Sequence, residues 1–221
     1  MRKFLLATLM LTTVMTMAQE QDDSLLTIPK GTWILGGNLS FFNNTSDNDF
    51  SDDFSRNSER RNFAFSPRVG YSFSDNWTVG LVSEYFVQKG ENEGIAPDGA
   101  ISNTESKSES LSLAPYVRRY FAINKNLAFF AQGEVGILKS WSESIDFDSD
   151  RFTSEADGVF VNLRPGVLFF PAKNLAFETS IGLLGYRALD REDSNGTTAE
   201  NRDFRFDFNS SNLLFGLSYF F

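Results

Sequence analysis

The chain has no cysteine and no histidine among its 221 residues. Without cysteine there are no disulfides and no lipid anchor on a Cys at the head of an exported chain. Without histidine there is no Ser–His or Cys–His pair and no His-ligated metal site. Carboxylate pairs remain a possible acid–base device, but no pair stands out from the many in the chain. A non-enzymatic protein with no resident cofactor is therefore expected. Long hydrophobic runs are missing too: beyond residue 18 none approaches the roughly 20 residues of a spanning helix. Basic residues are the minority, 20 Lys and Arg against 29 Asp and Glu for a formal charge of -9. An acidic chain is a poor partner for nucleic acid.

What is present begins with MRKFLLATLMLTTVMTMA, residues 1–18. A basic start (Arg2, Lys3), an apolar run too short to span a bilayer and a small-residue end make a secretory signal peptide, cleaved before Gln19. Loss of Arg2 and Lys3 takes the charge from -9 to -11. Residues 19–31 read as a periplasmic N-terminal segment, and 32–221 as one domain.

Within that domain the dominant signal has period two, the mark of strands with two different faces. Phe63, Phe65, Pro67, Val69, Tyr71 and Phe73 alternate with Asn62, Ala64, Ser66, Arg68, Gly70 and Ser72. Comparable segments start near Trp33, Trp77, Leu111, Leu127, Val159, Leu175 and Leu213. The expected strands therefore number eight. Their connections alternate between short (74–76, 122–126, 171–174) and long (43–61, 89–110, 139–157, 187–203). Pro67, Pro115 and Pro165 mark an internal repeat of a hairpin plus its outer loop. Proline has no N–H for a central ladder, so three at matching depth suggest a repeated bulge. Phe204, Phe206 and Phe208 are even-numbered, whereas the chain end is apolar at odd positions; a bulge near Asn209-Ser210-Ser211 would reconcile the phases.

The odd-numbered face is mostly Phe, Leu, Val, Trp and Tyr. The even-numbered face mixes Arg68, Arg118, Arg164, Glu84, Glu134 and Glu178 with Gln132, Gly and Ser. A soluble barrel would bury the apolar set. A membrane barrel would turn it to lipid and fill a narrow lumen with the mixed set, about ten tilted residues spanning the bilayer. Phe73, Trp77, Phe121, Phe129 and Phe169 would then form the periplasmic aromatic girdle. The end, NLLFGLSYFF, steps backwards from Phe221 through Tyr219, Leu217 and Phe215.

These features together resemble the small outer-membrane barrels of the OmpA/OmpX type, in the form common in Bacteroidetes. The resemblance implies an eight-stranded antiparallel up-and-down transmembrane β-barrel in the bacterial outer membrane, expected as a monomer. Its short turns are periplasmic and its four long loops external. It also implies that Phe221, Tyr219, Leu217 and Phe215 are read by the barrel assembly machinery. No single activity follows from it.

Three arginines and three glutamates in a narrow lumen would be costly unless paired, so the six are expected to form an interior charge network that plugs it. The four long loops hold 21 acidic against ten basic residues, which suits solvation, or bridging by divalent cations to lipopolysaccharide. Asp146, Asp148 and Asp150 would lie on one side of an extended arm as hard oxygen ligands for Ca²⁺, though without the glycine and distal glutamate of a calcium loop. The expected role is structural or surface-interacting through the acidic loops. The alternatives are a narrow gated pore for ions or small solutes, and an accessory subunit of a secretion or uptake complex.

Overall fold

A computed structural model describes residues 25–51, 54–95, 101–145, 151–180, 182–207 and 214–221. Ten strands run among the described residues: β1 (Trp33–Ser51), β2 (Phe54–Ser74), β3 (Trp77–Ile95), β4 (Ile101–Ala122), β5 (Leu127–Ile145), β6 (Arg151–Ala172), β7 (Leu175–Ser180), β8 (Leu183–Asp193), β9 (Thr198–Asp207) and β10 (Leu214–Phe220). All are antiparallel, and from β1 to β6 each pairs with the next in sequence. The sheet closes because β6 pairs with β7, β7 with β10 and β10 with β1. Over the span of those pairs, closure removes the exposed edge that an open sheet would present; above Leu39↔Phe215, β1 pairs with β2 and β9 with β8.

The strand count differs from the expected eight for a reason visible in the pairing. β7 and β8 lie end to end along β6, Gly166↔Ser180 below and Leu163↔Leu184 above. Between those pairs β6 has two residues and its partner three, a one-residue bulge containing Gly182 at φ +81°. That φ suits glycine, which has no Cβ to clash. The extra residue exchanges the two faces. Glu178 and Ser180 point inward on β7, but Gly185 and Leu189 point inward on β8 and Tyr186 faces out. The single strand expected to start near Leu175 is thus corrected to two of opposite phase.

The partner arm must shift in step, because cross-strand pairs share a face. Phe204 and Phe206, opposite Tyr186 and Leu184, are 72% and 71% exposed on the outer side, while Phe215, Leu217 and Tyr219 of β10 are also outward. The faces of β9 and β10 are therefore out of phase as the sequence requires. The expected bulge at Asn209-Ser210-Ser211, and Phe208, lie outside the described residues.

Only one of the three prolines sits at a bulge. At Pro67 the β2–β3 ladder lapses between Phe65↔Tyr85 and Arg68↔Val82, and at Pro115 the β4–β5 ladder lapses between Leu113↔Ile137 and Tyr116↔Glu134. Both gaps have equal residues on either side. The ladder on the opposite edge runs through each proline, Gly37↔Pro67 and Leu81↔Pro115. A residue in an antiparallel strand directs its N–H to one neighbour only, so a missing donor interrupts one edge and leaves the other intact. The repeated bulge is corrected to a repeated lapse in pairing, widened into a bulge only beside Pro165.

The long loops are also shorter than expected. β1 to β6 are 19–22 residues each, about twice the 9–11 that a tilted strand needs to cross a bilayer. Most of the residues read as loops continue the ladders outward, as in Lys89↔Lys107 and Ser142↔Ser154. The three short connections lie together at the other end.

Glycines set how closely side chains fill the interior. Gly70, Gly80 and Tyr116 lie side by side across β2, β3 and β4, and the Tyr116 ring occupies the room the two missing side chains leave. A Cβ on Gly80 would overlap the Val69 carbonyl oxygen and the ring. Gly80→Val should therefore lower stability by roughly 1–3 kcal/mol by overpacking, read as a lower urea midpoint of the refolded barrel.

Candidate functional site: the lumen

The inward face is stacked in layers. At the end with the short turns, Ile34, Tyr120, Phe130, Leu168, Phe170, Ala176 and Phe220 form a buried apolar cluster. Ile28 completes it from outside the strands. The segment before β1 crosses the barrel mouth, held by Leu26 N–H to the Asn124 carbonyl (3.1 Å), Ile28 N–H to Asn76 Oδ1 (2.9 Å) and Asn76 N–H to the Ile28 carbonyl (2.8 Å). Asn76 makes this possible by taking a left-handed turn conformation, φ 60°, which asparagine tolerates better than most residues. Lys30 N–H adds a bond to Asp75 Oδ1 at 2.8 Å. Residues expected only as a periplasmic segment thus stopper the mouth. The sequence signal was slight: two apolar residues, Leu26 and Ile28, ahead of Pro29.

Above this cluster lies the charged layer, and the structure brings together all six of the charged residues read from the sequence. Glu178 on β7 is shared by Arg68 on β2 and Arg118 on β4 across the lumen; Arg118 Nη1 lies 2.8 Å from Glu178 Oε2 and Arg68 Nη2 reaches Oε1. Arg68 Nη2 also donates to Ser218 Oγ at 2.9 Å. From Arg118 the chain of bonds continues, Nε to Gln132 Oε1 at 2.6 Å and Gln132 Nε2 to Glu134 Oε1 at 2.6 Å. Arg164 Nε stands 3.4 Å from Glu134, and its Nη2 is 3.9 Å from Glu84 Oε2. Glu84 in turn accepts from Ser66 Oγ at 3.0 Å. Gln132, the link between the two arginine–glutamate groups, is placed on this face by the alternation but not in the expected network, since nothing in a lone glutamine marks it as a bridge.

Burial makes this layer consequential. The Arg68 and Glu178 side chains are each 1% exposed, where an unpaired charge is very unfavourable. Arg118 is further held by aromatic faces: its guanidinium carbon is 4.0 Å from the Phe130 ring centroid and within 6 Å of the rings of Tyr116 and Tyr120. Cation–π contacts of this kind gain strength when desolvated.

The outer face is the reverse. The apolar side chains Trp33, Leu35, Val79, Leu81, Val117, Phe129, Val161 and Phe177 stand exposed around the cylinder. Such a continuous apolar surface is far larger than a water-soluble monomer presents. Near the short turns it ends in Phe73, Trp77, Phe121, Phe129 and Phe169, all exposed. Arg119 also faces out at that rim, its guanidinium 5.1 Å from the Trp77 ring and donating to the Asp75 carbonyl at 3.2 Å, as a cation does when it reaches from an apolar face towards water. In β10, Phe215, Leu217 and Tyr219 lie on the same outer face, and Phe221 is exposed beyond them. Asp146, Asp148 and Asp150 lie outside the described residues.

A closed antiparallel sheet with a greasy outside, an aromatic rim and a charged, filled inside defines a transmembrane β-barrel. The chain belongs to the family described as outer membrane protein beta-barrel domain, whose model matches residues 4–221, and its place is the bacterial outer membrane. No curated protein matches it. Among solved structures it is similar to the outer membrane protein OprG from Pseudomonas aeruginosa, with 13% sequence identity and a TM-score of 0.47 over 87% of this chain and 97% of that one.

Proposed function

We propose that the protein is a non-enzymatic, monomeric barrel of eight transmembrane arms, with β7–β8 and β9–β10 each counted as one. In this reading the lumen is plugged, and the protein acts in envelope structure or surface interaction through its acidic external hairpins. The observation that carries the plug is Glu178 shared between Arg68 and Arg118, directly above the apolar layer that Ile28 completes. An ion would have to part a buried ion triad and then cross a dry layer, both strongly opposed. The signal peptide, residues 1–18, lies outside the described residues and delivers the chain in this account. Phe221, Tyr219, Leu217 and Phe215 present the terminal pattern to the assembly machinery. The hairpins meet lipopolysaccharide, with divalent cations at their carboxylates as a weak auxiliary.

Purified protein in planar bilayers should be silent. Conductance steps that vanish on Arg118→Ala would instead establish the competing reading, a narrow pore gated by exchange of ion-pair partners. That reading is favoured by one observation, the cavity of about 530 Å³ that lies over the charged layer. Stable co-purification with other envelope proteins from native membranes would establish an accessory subunit.

A further inference from the structure

The cavity over the charged layer has a sign opposite to that of the chain. Among the described residues six arginines line it (Arg60, Arg68, Arg118, Arg164, Arg187 and Arg205) against two carboxylates, Glu84 and Glu134. Glu178 beneath and Asp203, 3.4 Å from Arg187, raise the acidic side to four, so among the described residues two positive charges remain, in a protein of formal charge -9. They belong to the upper wall. Arg60 on β2 and Arg205 on β9 have no ion pair among the described residues, and both line this cavity.

Donors in the same space are left over as well. Arg68, 3% exposed, and Arg187 each have a buried Nε with no hydrogen-bond partner among the described residues. Leaving such groups unsatisfied costs free energy that a bound acceptor would recover. Apolar side chains share the lining: Phe86 on β3, Leu138 on β5 and Phe160 on β6, the last directly beside Arg187 in the β6–β8 ladder.

We infer that this cavity binds a small amphiphilic anion, a carboxylate on a compact apolar body. The carboxylate would meet the Arg60, Arg187 and Arg205 side, where guanidinium forks match its two oxygens. The apolar body would lie against Phe86, Leu138 and Phe160. The volume suits one such molecule, within the usual range for ligand pockets. This inference concerns the vestibule and holds whether or not the floor conducts.

The test uses the full mature protein in lipid nanodiscs at low ionic strength, titrated calorimetrically with benzoate and with benzamide, its uncharged analogue. Benzoate should saturate with a dissociation constant of about 1 mM or below, and benzamide should bind at least about tenfold more weakly. The double variant Arg60→Gln/Arg205→Gln should lose about tenfold in benzoate affinity while keeping heat-modifiable migration. Arg202→Gln, an exposed arginine paired with Glu200, should bind like the parent. No saturable benzoate binding, equal binding of benzamide, or undiminished affinity in the folded double variant would each overturn the assignment.

Discussion

Glu178→Leu lowers the unfolding free energy of the barrel by about 3–5 kcal/mol, because it leaves two guanidiniums buried without their shared counter-charge. The urea midpoint of protein refolded in lipid or detergent reads this directly, scored by the shift between folded and unfolded bands on an unheated gel. The variant that removes the whole cluster, Arg68→Met/Arg118→Met/Glu178→Leu, recovers most of the loss. Apolar side chains of similar volume avoid the desolvation of three charges, and replacing a buried ion triad this way is often neutral or better. Two results would refute this account of the charged layer: Glu178→Leu as stable as the parent, or a triple variant no better than the single one. The first would mean that water reaches the arginines, and the second that Glu178 acts through something other than charge.

The second large effect lies one residue away from the first. Val117 and Arg118 are neighbours on β4, yet Val117 is 41% exposed and Arg118 2%. Val117→Arg places a guanidinium on the lipid face and should cost about 2–4 kcal/mol near the bilayer midplane. Arg118→Val strands Glu178 and should cost a comparable 3–5 kcal/mol or so. The exchange variant Val117→Arg/Arg118→Val keeps the composition and should be worse than either, since it makes both errors at once. If Val117→Arg proved harmless in lipid bilayers, the outer face would not be the lipid face.

That contrast of neighbours is also what made the fold readable. Alternation fixes which residues share a face, so Arg68, Arg118, Glu134 and Glu178 could be assigned to one interior without coordinates. It does not say which strands face each other across a ring, so the sharing of Glu178 by two arginines emerged only from closure, and the bridging by Gln132 from the β4–β5 register that sets it opposite Arg118. Period two also requires a contrast between the two sides. Within the bilayer the sides differ sharply, but beyond it both are wet. SNTESKSES, residues 102–110 of β4, is therefore as polar on one face as on the other and reads as a loop although it is paired through most of its length. The bulge at Gly182 was hidden for a third reason. Leu183 and Leu184 are both apolar, so the point where the phase changes gives no break in hydrophobicity. The companion shift between Phe206 and Phe215 was legible because large aromatics stand on both sides of it. Ile28 escaped notice because an apolar residue in a short irregular stretch has no period at all.

The ladder between the first and last strands sets how the molecule comes together. β1 and β10 are joined from Ile34↔Phe220 to Leu39↔Phe215, with reciprocal bonds of 2.7 and 2.9 Å between Trp33 and Phe221, whereas β1 and β2 pair from Trp33↔Tyr71 out to Ser51↔Phe54. The hairpin ladders link residues near in sequence, but this clasp links the two ends of the chain and carries the largest entropy of loop closure. That cost makes it the contact expected to form last, once the hairpins are in place.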